Sequence, residues 1–244
     1  MFAVGTQAHS VSTRKVVRGL GIEVEKSDWM QTGEDRSLSP TVFLVEQPAN
    51  CIAGAHFHRQ NQFQVFVDGS GSVGRNTVEA VTVHYAGAYT GYGPLSAGAR
   101  GLKYFTIRPV FDTGSFPVVQ ARDKMLPGPK RHAVSGRIKS LSPDQLAMLP
   151  APAAFDVIPV GEDGMGARWV QAPPEAALYT DFPLTADGAF MLVLAGTANY
   201  EGGALQRWES AFASTRSELP LFVAGPNGAE VIFLYTPAKS PAYP

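Results

Sequence analysis

Short runs dominated by Val, Phe, Leu, Tyr and Thr follow one another along the chain, broken by Gly, Pro and Asn. Thr41 to Val45, Phe63 to Val67, Val81 to Tyr85 and Leu102 to Ile107 are examples. Runs of this length and composition, bounded by turn formers, predict strands. One stretch predicts a helix instead: Ser142 to Leu149, with Ser142 as N-cap, Pro143 at the first helical position, Gln145 at the third and Pro150 as the stop. The expected fold is therefore mostly β.

The pattern also repeats. At an offset of 127 positions Phe63 faces Phe190, Val65 faces Leu192, Val67 faces Leu194 and Gly69 faces Gly196. Further on, Tyr85 and Ala86 face Phe212 and Ala213, and Ala97, Gly98 and Gly101 face Ala224, Gly225 and Gly228. Phe105 and Ile107 then meet Ile232 and Leu234, with no gap anywhere in the stretch. A slip of one residue extends the match upstream, where Gly33-Glu34-Asp35 faces Gly161-Glu162-Asp163. Glycines and apolar positions that stay in phase over such a length predict two copies of one β unit. Gly114, Pro117, Pro127, Gly128 and Pro129 crowd the stretch from Val110 to Lys130, which reads as the end of one unit and the connection to the next. The expected domains are residues 1–127 and 128–244.

Composition narrows the class. Hydrophobic residues make up 45% of the chain and charged ones 17%, enough apolar surface to offset the ordering of a folded chain, and 244 residues suffice for two cores of ordinary size. Lys and Arg number 20 against 21 Asp and Glu, so no field of one sign exists to hold a phosphate backbone or an acidic membrane, and nucleic acid is not an expected partner. Cys51 is the only cysteine, which excludes an intrachain disulfide. No charged-then-apolar leader opens the sequence and no apolar run approaches the ~18 residues of a membrane span, so the cytoplasm is the expected address and no membrane partner is expected.

The chemistry concentrates in one place. His56 and His58 stand two apart just before the Phe63 strand, and in a strand residues i and i+2 project from the same face, so both imidazoles would point into one space. Gln62, across the polar turn Arg59-Gln60-Asn61, can bring a side-chain oxygen to the same point. Two imidazole nitrogens with one oxygen suit a divalent transition metal such as Fe, Zn, Mn, Ni or Cu and leave positions open for substrate.

The run His56-x-His58-x3-Gln62-x6-Gly69 resembles the first motif of the cupin superfamily, in which two His and usually a Glu bind metal inside a small jelly-roll barrel. Asn50 stands where that motif has a leading Gly, and Gln62 replaces the Glu. The resemblance implies two tandem cupin barrels, a bicupin with RmlC-like jelly rolls, and a metal site built on His56, His58 and Gln62. The second cupin motif normally adds a His from a later strand. Here Gly87 is the candidate opening glycine, and Tyr92-Gly93-Pro94, or Thr90 in a slightly earlier alignment, falls where that His would be. Tyr92 could coordinate as phenolate, act as acid or base, or pack; His84 is a substitute ligand if its strand faces inward.

The repeat provides an internal control. At the 127-residue offset His56 becomes Pro183, His58 becomes Thr185, Gln62 becomes Ala189 and Tyr92 becomes Leu219, so the second unit is expected to keep the barrel and lose the site. Its expected roles are to complete the body, cover an edge, or form a homodimer surface. With a neutral Gln62, a metal would keep its full charge and favour a small anionic organic substrate such as a carboxylate or dicarbonyl. Two function classes follow: a metal-dependent enzyme, a dioxygenase with iron or an isomerase or lyase with Zn, Ni or Mn and Tyr92 as proton donor, or a non-catalytic small-molecule-binding cupin with a vestigial metal site. A ligand converging on the His pair favours the first; a barrel filled by Phe and Tyr favours the second. No phosphate-cradling Gly-rich loop and no G-x-S-x-G elbow is present.

Overall fold

The computed structural model describes residues 1–34 and 37–244, in two compact units. The first comprises His9–Ile138 with Lys239–Pro244, and the second Met1–Ala8 with Lys139–Ala238. Strands dominate both, as the apolar runs bounded by turn formers predict. In chain order they are β1 (Phe2–Gly5), β2 (Lys15–Gly19), β3 (Ile22–Gln31), β4 (Thr41–Gln47), β5 (Ile52–Ala53), β6 (His56–Phe57), β7 (Gln62–Val73), β8 (Asn76–Glu79), β9 (Thr82–Ala86), β10 (Leu95–Arg108), β11 (Phe116–Pro117) and β12 (His132–Val134). The second unit continues with β13 (Ala153–Ile158), β14 (Gly166–Ala172), β15 (Ala186–Tyr200), β16 (Gly203–Leu205), β17 (Ser210–Ala213) and β18 (Val223–Pro237). The helix at Ser142 forms as Pro143–Ala147 (α2), its Ser142 hydroxyl accepting from Gln145 N and the Gln145 side chain accepting from Ser142 N, a reciprocal cap. A second helix, Gln7–Thr13 (α1), carries no acidic residue in its first turn to announce it in the sequence.

Among the described residues, the first unit's main sheet runs β12-β9-β7-β10-β4-β3-β2, with β5 beside β10 and β8 beside β7. The second unit's runs β1-β17-β15-β18-β14-β13, with β16 beside β15. The units are not two uninterrupted stretches meeting near residue 130. The first strand, β1, pairs antiparallel with β17, Phe2 opposite Ala213, and so covers the otherwise open edge of the second unit's sheet. The C-terminal Tyr243 instead packs in the first unit with Phe57 and Tyr89 and donates from its hydroxyl to Pro129 O at 2.6 Å.

The central pairings of the two units coincide at the 127-residue offset. Phe63 pairs with Ile107 and with Tyr85, and Phe190 with Leu234 and with Phe212. Thr106 lies opposite Gln64, and Phe233 opposite Met191. The turn glycines coincide in geometry too. Gly69 and Gly196 have φ of 78° and 70°, and a Cβ on either would stand 2.1 Å or 2.0 Å from the carbonyl oxygen of Gly101 or Gly228. Only glycine allows that approach at that φ. Upstream, β4 and β14 correspond at a smaller offset, since Leu44 opposes Phe105 while Trp169 opposes Ile232. The expected match of Gly33-Glu34-Asp35 includes Asp35, which lies outside the described residues.

The interiors differ. In the second unit Val170, Met191, Val193, Ala211, Phe233 and Tyr235 close into one buried apolar cluster. In the first unit alternate residues of successive strands, 15, 17 and 19, then 22, 24, 26 and 28, then 41, 43 and 45, and finally 104, 106 and 108, line a cavity of about 480 Å³. No helix among the described residues is long and apolar enough to cross a membrane.

Candidate metal and ligand site

His56 and His58 both reach this cavity, while Phe57 between them points the other way, into the cluster with Tyr89 and Tyr243. Strand alternation therefore delivers the imidazoles together, their ring centroids 5.2 Å apart and nearly perpendicular. His56 is held by a two-way backbone pairing with Tyr92, each N–H donating to the other's carbonyl at 3.0 Å. This places the Tyr92 ring against the His56 ring, centroids 4.5 Å apart. His56 Nδ1 lies 2.9 Å from Gly54 O, and His58 Nδ1 lies 2.9 Å from Gly114 O and 3.2 Å from Asp112 Oδ2. Carbonyl oxygens only accept, so in both rings Nδ1 carries the hydrogen and Nε2 keeps its lone pair.

Burial keeps both rings neutral. It pushes His56 down to about 3, helped by the closeness of His58, since the two rings resist carrying charge together, and by Arg108; it pushes His58 down to about 4, helped by Arg108. Burial raises the Tyr92 phenol well above its usual value, so it is protonated at neutral pH. Burial alone would raise Asp112, but its hydrogen bond with His58 and the charge of Arg108 outweigh that and hold it ionised.

Gln62, the first residue of β7, is 1% exposed and fully engaged. Its Nε2 donates to the Tyr92 hydroxyl at 2.6 Å, and its Oε1 accepts from Arg108 Nε at 3.0 Å and Nη2 at 2.9 Å. Arg108 Nη2 also lies 3.1 Å and 3.3 Å from the two ring nitrogens of His58. Arg108 closes β10 on the face that carries Tyr104 and Thr106, and is 4% exposed. Sequence reasoning missed it and Asp112. The available signal was the alternation 104, 106, 108, which puts a charge on the same face as a tyrosine and a threonine.

The alternative third ligands separate. Tyr92 converges with His56, His58 and Gln62. Thr90 does not, because its hydroxyl accepts from Arg131 N at 3.2 Å and it does not line the cavity. His84 faces inward but sits one layer away, its ring 5.0 Å from Tyr92 and 4.6 Å from His132. Its Nδ1 is 2.7 Å from Gln64 Oε1, and its buried Nε2 has no hydrogen-bond partner. Burial holds it well below the usual histidine range.

The donor set fits a metal in part. Two neutral imidazoles with Nδ1 anchored on oxygen are the arrangement that presents Nε2 to a cation. Gln62 offers no free lone pair while Arg108 holds its oxygen, and no cluster of three His, Cys, Asp or Glu side chains occurs among the described residues.

The corresponding positions in the second unit have no such chemistry. Gln62, Gln64, His84, Thr106 and Arg108 correspond to Ala189, Met191, Ala211, Phe233 and Tyr235, all within its apolar cluster. His56 and His58 correspond to Pro183, half-buried, and Thr185, exposed.

No known protein family and no curated protein matches the chain in sequence, but solved structures match it in fold. One is a "putative dioxygenase" from Nostoc punctiforme, 10% identical with a TM-score of 0.60 over 98% of this chain and 84% of that one. Another is Bacillus subtilis oxalate decarboxylase, 12% identical with a TM-score of 0.57 over 95% and 77%. A third is a pirin from Escherichia coli in complex with nickel(II), 11% identical with a TM-score of 0.55 over 97% and 99%. At these identities the likeness shows the fold, the cupin fold, and nothing finer.

Proposed function

We propose that the chain is a bicupin, two tandem barrels of common origin, whose first barrel binds a divalent transition metal, Fe, Zn, Ni or Mn, on His56, His58 and Gln62 and acts on a small organic anion, a carboxylate or dicarbonyl. The carrying observation is the pair of neutral imidazoles on the cavity wall, each with Nδ1 fixed on a carbonyl so that Nε2 keeps its lone pair. When bound, a metal supplies Lewis acidity to a substrate oxygen or, as iron, oxygen chemistry. The chain's own residues do the rest. Arg108 brings positive charge to the cavity, and Phe43, Val24, Ile22 and Tyr104 wall it with apolar surface. Tyr92 accepts from Gln62 and so retains its own O–H, which makes it the proton donor of the site. The central pairings shared at the 127-residue offset support the tandem origin, and the metals named with two fold neighbours, nickel(II) with the pirin and Mn(II) with oxalate decarboxylase, support the class of site.

One observation favours a second reading, a non-catalytic binding barrel: the oxygen of Gln62 is already held by Arg108. Elemental analysis of untagged protein, followed by thermal shift and oxygen-uptake assays with small dicarboxylates and β-dicarbonyls, separates the two. The enzyme reading expects bound metal, lost in His56→Ala/His58→Ala, and turnover of one such compound. Ligand stabilisation with neither metal nor turnover supports the binding barrel, and no response to metal or anion removes both.

A further inference from the structure

We propose that Arg108 is a built-in cation that competes with the metal for the His58–Gln62 centre, so that the barrel loads metal only when the guanidinium gives up those partners. The inference rests on the metal reading above and concerns its control.

Both N–H groups that Arg108 turns to Gln62 end on the same oxygen, at 3.0 Å and 2.9 Å, which is the oxygen a metal would need. The same Nη2 stands between the two ring nitrogens of His58, 3.1 Å from Nδ1 and 3.3 Å from Nε2, so its charge sits beside the lone pair a metal would need. A carbonyl oxygen that accepts two hydrogen bonds has no lone pair left to coordinate. A divalent cation on these ligands would also face a guanidinium a few ångströms away in a buried setting, where like charges repel strongly.

The arginine also meets a ring, its guanidinium carbon lying 5.4 Å from the Phe43 centroid. Among the described residues it forms no ion pair, and Asp112, whose charge it feels, is hydrogen bonded to His58 and to Arg59 N. A buried guanidinium that holds only neutral acceptors keeps its charge for another partner. Arg108 lines the cavity, so it has space to turn into when it releases Gln62.

The test is the affinity of chelator-treated protein for Zn²⁺ alone, by competition against a chromogenic chelator. Arg108→Gln and Arg108→Met, checked for folding by circular dichroism, are expected to bind Zn²⁺ at least about tenfold more tightly than wild type. Arg108→Lys, which keeps the charge, should stay within about threefold of wild type. Adding His56→Ala/His58→Ala to Arg108→Gln should abolish the gain. In wild type, zinc should shift the ¹⁵N signals of the Arg108 Nε–H and the Gln62 side-chain amide, a readout that needs no variant. Equal affinities in wild type, Arg108→Gln and Arg108→Met, or zinc bound at the His pair without movement of those signals, overturn the competition and leave the metal reading standing. No zinc binding by any of the proteins removes the metal reading, and the competition with it.

Discussion

Lowering the pH from 7 to 5 should destabilise the metal-free protein far more than its overall charge predicts. His56 and His58 are held down to about 3 and 4 by burial, whereas in the unfolded chain each titrates near its ordinary value of about 6.5. Well above pH 6.5 both rings are neutral in both states, and their contribution to stability is constant. As the pH falls below 6.5 the unfolded chain takes up protons that the folded protein refuses. Stability is therefore lost on acidification, by up to about 1.4 kcal/mol per pH unit for each ring, until the folded pKa is reached. At pH 5 this amounts to about 2 kcal/mol per histidine and about 4 kcal/mol for the pair. His84, also held well below its ordinary range, acts in the same direction. A domain is typically stable by about 5–15 kcal/mol, so the loss is a large fraction of the whole. Urea unfolding at pH 7 and pH 5 in the presence of chelator, followed by far-ultraviolet circular dichroism, measures it directly. A His56→Gln/His58→Gln protein should show a much flatter profile. Wild-type stability unchanged within about 1 kcal/mol between the two pH values would refute the claim that these rings are buried and neutral.

Other consequences follow from packing. Gly69→Ala and Gly196→Ala should each cost more than about 3 kcal/mol in chemical denaturation, because overpacking and a strained φ add, while Gly136→Ala, with open space around its Cβ, should be close to neutral. Tyr92→Phe leaves the buried Gln62 Nε2 without its acceptor and should lower stability by about 1–3 kcal/mol, and proton-transfer activity should fall with it. Met191→Ala, in the apolar interior of the second unit, should cost about 2–5 kcal/mol and leave zinc affinity unchanged; a change in that affinity would contradict the placement of the site in the first unit.

The strands and the turn glycines were legible because they obey local rules: period-two alternation around Phe63 and Phe105, and glycine where two backbones approach. His56 and His58 were legible as a pair because they share a strand face, and Gln62 because it follows four residues on; Tyr92, 30 residues beyond Gln62, was reached only through the family resemblance and beside Thr90 and His84 as alternatives. Arg108 was not, because its importance comes from pairing between β10 and β7, which brings it to Gln62 from 46 residues away. The ends of the chain were opaque for the same reason. Phe2 finds Ala213 and Tyr243 finds Pro129 through contacts that no local pattern encodes.

The central claim is that one barrel of the two carries a metal site and that His56 and His58 form it. Its most direct test is the stoichiometry of metal binding, measured by titrating Zn²⁺, Mn²⁺ and Ni²⁺ into chelator-treated wild type and His56→Ala/His58→Ala and detected by calorimetry. One equivalent of at least one of these ions per chain in wild type, and none in the variant with its circular dichroism spectrum intact, is the predicted result. Two equivalents per chain, binding that survives loss of both histidines, or no binding of any of the three ions would contradict it.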